Sequence, residues 1–375
     1  MPHIRGAGAC AAAETGTLSA GVPGKGLRAA RICIPLFTLL PSTIAMRIKA
    51  SVKALRTSIA SLAVLAMAGS ALAQEAGPAV TPAIAGVVNA GTKIELVKDG
   101  FKGTEGPIAA PDGGLLFTEN QNDKILRIAP DGSVSVYLAG ANGSNALAFA
   151  PNGDLVTVQT LDPKVGVIQP QGNARSLVGK VDGGLNLGRP NDLVVDRKGF
   201  VYFTDSGVNP NANPKPDLSK TAKPAVYRIS PEYVLERIAN DITRPNGIQL
   251  SPDEKTLYVA NTAGEHVLAF DIAANGKIGP KREFARLEGF RQTENGPTSG
   301  ADGLAVDAEG RLYVATNVGV QVFSSKGEAL GTIALPKRPQ NLAFAGPDKK
   351  QLYVVGSGAV WRVPVLTAGY TGRAK

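Results

Sequence analysis

Six side chains tipped with oxygen, Glu105, Asn145, Asn191, Asn246, Asp302 and Asn341, each stand seven residues ahead of the middle of a turn triplet. One shared spacing predicts that folding carries them to equivalent places. Two carboxylates and four amides converging on a point suit a hard divalent cation: the acids balance its charge and the amides add neutral donors. Calcium fits such a set first, magnesium or manganese next. Zinc lacks its usual ligands, because His266 is the only histidine after residue 73 and Cys10 and Cys33 are the only cysteines. Buried carboxylates with no counter-ion would repel each other and lose their hydration. Asn145 and Asn341 fit a plain turn role best, since asparagine bonds nearby backbone where loops meet strands. The other four have richer contexts: Thr104-Glu105-Gly106-Pro107, Arg189-Pro190-Asn191-Asp192, Arg244-Pro245-Asn246-Gly247 and Ala301-Asp302-Gly303.

The elements that must position these groups are short strands. A turn followed by a strand recurs six times, as in Pro111-Asp112-Gly113 before LLFTE, Arg197-Lys198-Gly199 before FVYFTD and Ala308-Glu309-Gly310 before RLYVAT. Each turn follows an apolar stretch such as ALAFA, LVVD or LAVD, which is a hairpin signature. Further strands trail each hairpin, so each unit holds about four strands, the content of a propeller blade. The chain is therefore expected to be all-β, a six-bladed β-propeller over residues 91–375, with Ile94 to Val97 closing the ring against the last blade. An open sandwich accounts poorly for six units in phase. In a propeller the six oxygen-bearing positions start the innermost strands and surround one mouth of the central channel. Composition agrees: 44 glycines and 26 prolines among 375 residues exceed what long helices tolerate.

The runs EGP, RPNDLVVDRKGFVYFTD, RPNGIQLSPDEKTLYVAN and ADGLAVDAEGRLYVAT, in this order, resemble the gluconolactonase family, which includes senescence marker protein (regucalcin) and the luciferin-regenerating enzyme. The likeness covers roughly residues 91–365. It implies one divalent metal at the channel mouth and hydrolysis of sugar lactones. By that resemblance Glu105, Asn246 and Asp302 are metal ligands, Asn191 is a ligand or a substrate contact, and Arg189 is a substrate contact. The second blade departs from some bacterial members, which carry an acid–histidine pair where this chain reads Val158-Gln159-Thr160-Leu161-Asp162. That departure puts gluconolactone itself in doubt as the substrate.

Opening a lactone requires stabilising charge on its carbonyl oxygen while an attacking water loses a proton. A cation with open positions polarises the carbonyl and orients the water. Asp302 is the expected proton acceptor, with Glu105 as the other choice. A Ser-His-Asp mechanism finds little support, because His266 falls after a strand, out of phase with the oxygen ring, and no Gly-x-Ser-x-Gly elbow exists. Gly140-Ala141-Asn142-Gly143 lacks a following lysine and reads as a loop. The insertions Ser206–Pro224 and Arg286–Gly300 should reach the same mouth, with Phe290 and Arg291 as possible contacts.

The net charge of +9 suggests nucleic acid until its location is checked. Eight bases and one acid lie in residues 1–73, which leaves only two more bases than acids in the remainder. Nucleic-acid binding loses its support. From Met46, four cations, an apolar run from Ile59 to Ala68 and Ala71-Leu72-Ala73 give the order of a secretory signal. Residues 46–73 are thus expected to be a signal peptide, 1–45 an over-extended start, and 74–90 a flexible mature amino terminus. With both cysteines in the discarded part, the exported chain would need no disulfide. The expectation is a monomeric periplasmic or secreted lactone hydrolase, off the membrane once its signal is removed. The alternative is a non-catalytic propeller whose channel metal is structural and whose surface binds protein or sugar.

Overall fold

Six four-stranded antiparallel sheets follow one another along the chain in the computed structural model, which describes residues 79–375 apart from 210, 212 and 213. Their first strands are Thr104–Ala109, Ser144–Phe149, Pro190–Val195, Pro245–Leu250, Leu304–Val306 and Asn341–Ala345. Each of these touches the next and the sixth touches the first, so they line a closed ring around one axis. The chain is a six-bladed β-propeller, with blades numbered here in that order.

Burial falls from axis to rim. Leu115–Glu119, Val201–Asp205 and Leu312–Thr316, all second strands, are buried on both faces, while the outer strand Val134–Ala139 is mostly exposed. This is why the inner strands are near-continuous runs of apolar residues, whereas charge enters the outer ones. Blades meet through side chains of both neighbours, as where the Tyr313 and Phe344 rings stand edge to face at 5.0 Å. Ring closure comes from Glu95–Asp99, which pairs antiparallel with Ala359–Pro364 and completes blade 6 from the opposite end of the sequence.

The segment expected to be a flexible amino terminus is not free over its described part. Ile84, Val87 and Val88 are buried against blades 5 and 6, and the Leu366 amide donates to Val87 O at 2.8 Å. Three apolar side chains in ten residues give it an interface to bury, which offsets the entropy of ordering it. Residues 74–78, the signal and the over-extended start lie outside the described residues. Past blade 6, residues 365–375 cross the channel's far mouth, where the Tyr370 amide donates to Val306 O (3.1 Å) and the Ala109 amide to Ala374 O (2.8 Å).

Candidate active site

The inner strands lose register with their neighbours where the oxygen-bearing residues stand. Pairing slips between Glu105 and Ile108, between Pro190 and Leu193, and between Pro245 and Ile248. A bulge of this kind re-aims a side chain away from the regular pleat, and here it frees Glu105, Asn191 and Asn246 from the blade interior. Asp302 lies just ahead of its strand, its amide donating to Ala315 O at 2.9 Å. Packing between blades then fixes the positions. A side chain at Gly247 would place Cβ 2.1 Å from Asp302 O, so only glycine lets blade 4 approach blade 5 this closely. Threonines at the ends of second strands stitch across seams between blades: Thr204 Oγ1 donates to Asn246 O at 2.6 Å and Thr262 Oγ1, just past its strand, to Ala301 O at 2.7 Å.

All six ring residues are buried at one mouth, but they divide into two kinds. Asn145 and Asn341 are used up as clamps. Asn145 Nδ2 donates to Asn191 O (2.8 Å) while its Oδ1 accepts from Asn120 (2.7 Å). Asn341 Nδ2 donates to Glu105 (3.2 Å) and its Oδ1 accepts the Leu342 amide (2.9 Å). Asn246 is different. Its Nδ2 donates to Thr262 Oγ1 at 3.0 Å, and because that hydroxyl spends its proton on Ala301 O, the amide orientation is set. Asn246 Oδ1 is left buried with no hydrogen-bond partner among the described residues. A buried carbonyl oxygen of this sort costs about 1–3 kcal/mol unless something outside the protein meets it.

Electrostatics sharpen the point. Burial pushes the Glu105 carboxyl well above the usual carboxylate range, and the nearby charge of Asp302 pushes it further, against a lowering bond from Asn341. Burial likewise raises Asp302, with Asp192 adding to the rise and Arg338, Arg189 and Arg244 opposing it. Two acids thus face one another at one point with an unmet carbonyl beside them, a donor set that fits a divalent oxygen-seeking cation. No group of three or more His, Cys, Asp or Glu side chains gathers at metal spacing among the described residues. Any ion held here must therefore take amide as well as carboxylate oxygen.

A cavity of about 580 Å³ opens above this ring, lined by Glu105, Asn145, Arg189 and Gln340 among others. Arg189 is exposed at its wall, as a substrate contact requires. His266 starts the third strand of blade 4 and lies 3.6 Å from Glu283, away from the ring. Phe290 lines a separate depression with Glu265 and Arg286. Several participants escaped the sequence reading. Gln340 Nε2 donates to Glu105 Oε1 at 3.1 Å, and Arg338 Nη2 lies 3.4 Å from Asp302 Oδ2. The Arg338-Pro339 pair repeats the Arg-Pro of residues 189–190 and 244–245 and could have signalled it. Asp192, beside Asn191, is buried and held by the buried ammonium of Lys375. No local pattern announces that contact.

Residues 103–358 match the family described as the SMP-30/Gluconolactonase/LRE-like region. Gluconolactonase of Zymomonas mobilis is 28% identical over 306 residues, covering 77% of this chain and 86% of that one. Regucalcin of Gallus gallus is 27% identical, covering 71% and 87%. Among solved structures, a gluconolactonase from Xanthomonas campestris superposes with a TM-score of 0.64 at 28% identity, covering 77% of this chain and 94% of that one.

Proposed function

We propose, from the premise that this chain belongs to the SMP-30/Gluconolactonase/LRE-like family, that it is a metal-dependent lactonase. One observation carries the metal requirement: two buried carboxylates and the unmet Asn246 oxygen share one channel mouth. Glu105, Asn191, Asn246 and Asp302 would hold the cation, calcium by preference and magnesium or manganese otherwise. When bound, the ion would polarise the ester carbonyl and increase the acidity of a water beside it.

The chain's own residues supply the rest. Asp302 takes the proton of the attacking water; burial raises its basicity, while Arg338 keeps it from rising so far that it stays protonated. Glu105 is held still by Gln340 and Asn341 and serves as ligand. Arg189, on the wall of the cavity, and Asn191, buried at the mouth, orient the substrate. Export through residues 46–73, a periplasmic or secreted location and a monomeric state belong to the same proposal.

The test is turnover of a lactone panel by protein stripped with EDTA and then reloaded. Activity should vanish on chelation and return with calcium, magnesium or manganese. Metal bound without turnover of any lactone would instead favour a non-catalytic propeller with a structural ion.

A further inference from the structure

Three arginines stand at equivalent places around the same mouth. Arg189, Arg244 and Arg338 are all exposed, and each is followed by a buried proline that starts or precedes an inner strand. A residue before proline is confined to extended backbone, so each arginine leaves the blade in a similar direction. Their backbones are pinned alike by the far end of the second strand of the same blade. Arg189 N–H donates to Asp205 at 2.7 Å, Arg244 N–H to Asn261 at 3.2 Å, and Arg338 O accepts from Ser357 Oγ at 3.0 Å.

Their charges are poorly spent within the protein. Arg189 and Arg244 have no acidic partner within 4.0 Å among the described residues, and Arg338 reaches only Gly300 O (3.3 Å) and Asp302 (3.4 Å). Three further carboxylates on this face are engaged elsewhere. Asp205 accepts the amides of Gly188, Arg189 and Gly207, and Glu119 accepts from Lys102 N–H and Asn122. Asp192 is taken by Lys375. Once a divalent ion offsets Glu105 and Asp302, three guanidinium groups remain at the mouth, that of Arg189 on the cavity wall, with no further carboxylate to neutralise them among the described residues. Exposed arginine at a polar rim is well solvated, but three guanidinium forks with pinned backbones around one opening match a carboxylate or phosphate.

We propose that the substrate is an anionic lactone, carrying a carboxylate or phosphate besides the ester, and that Arg189, Arg244 and Arg338 receive that group. This inference rests on the lactonase reading for its ester and on the arginine placement for its charge. A neutral sugar lactone would leave the three cations unused.

Calorimetry on the calcium-loaded full chain separates the two. Gluconate, glucarate and 6-phosphogluconate share one chain length and differ in the second anion. Glucarate or phosphogluconate should bind about tenfold more tightly than gluconate, and the gap should close in R244Q and in R338Q. Whichever of the two gains identifies the group as carboxylate or phosphate. Equal affinity for all three, or a gap that survives every arginine substitution, overturns the inference. Turnover of neutral glucono-lactone in preference to its anionic counterparts would also overturn it and leave the lactonase intact. Anion-selective binding with no lactone turned over would sustain the arginine anion site alone and sink both the lactonase and the lactone as its ligand.

Discussion

The two mouths of the channel both bury charge, and they treat it in opposite ways. At the far mouth the buried Arg373 lies 3.2 Å from Glu254 and donates to Leu250 O and Ser251 O, and Lys375 of the same tail reaches inward to Asp192. The tail that brings these cations seals that end, and its depression of about 860 Å³ is lined partly by the tail itself. At the near mouth burial and the charge of Asp302 raise the proton affinity of Glu105, burial and Asp192 raise that of Asp302, and Asn246 Oδ1 has no partner among the described residues. Charge compensated within the chain holds a fold together. Charge left uncompensated in a buried place marks where a ligand belongs.

The sharpest way to break this contrast is Asp302→Asn. It should reduce lactone turnover by about a hundredfold or more, as loss of a key proton acceptor does, with an unchanged circular dichroism spectrum. Turnover near wild type would end the mechanism. In the tail Lys375→Met strips a buried ion pair of one member, and chemical unfolding should register a loss of about 3–5 kcal/mol. Combining it with Asp192→Asn should recover part of that loss, and a double-mutant cycle measures the coupling. Gly247→Ala forces a methyl group against Asp302 O and should destabilise by about 1–3 kcal/mol while slowing turnover, because blade 5 must shift. The opposite sign is expected for Asp302→Asn in metal-free protein. Removing one of two facing acids should raise stability by about 1 kcal/mol, a gain that calcium abolishes by favouring the wild type. Smallest of all, His266→Ala should alter kcat/KM less than about twofold, consistent with its position on the third strand of blade 4.

Much of the architecture was legible because it is periodic. Turn triplets in a constant phase marked six hairpins, and counting back from them found six oxygen-bearing residues that are buried at the mouth, Glu105 and Asp302 included. The same arithmetic gave no means of ranking the ring. Asn145 and Asn246 look alike in the sequence, yet one has both ends of its amide occupied and the other has a bare oxygen. That difference depends on Thr262, whose hydroxyl proton goes to a neighbouring blade. The amino-terminal segment misled for a related reason. Ile84, Val87 and Val88 show no repeat phase, and only the seam of blades 5 and 6 gives them something to bury against.

What the residues alone determined was therefore local and repeated: strand, turn, strand, with an oxygen at a set offset and an arginine–proline step ahead of two of them. Contacts between distant positions were decided by the closed ring. Gln340 reaches Glu105 across 235 positions and Lys375 reaches Asp192 across 183. Separations of that size carry no periodic mark, because the chain's path around the axis, and not its spacing along the strand, sets which groups meet. Ring closure turns six similar segments into one mouth crossed by the chain's own tail and one ringed by buried carboxylates and amides.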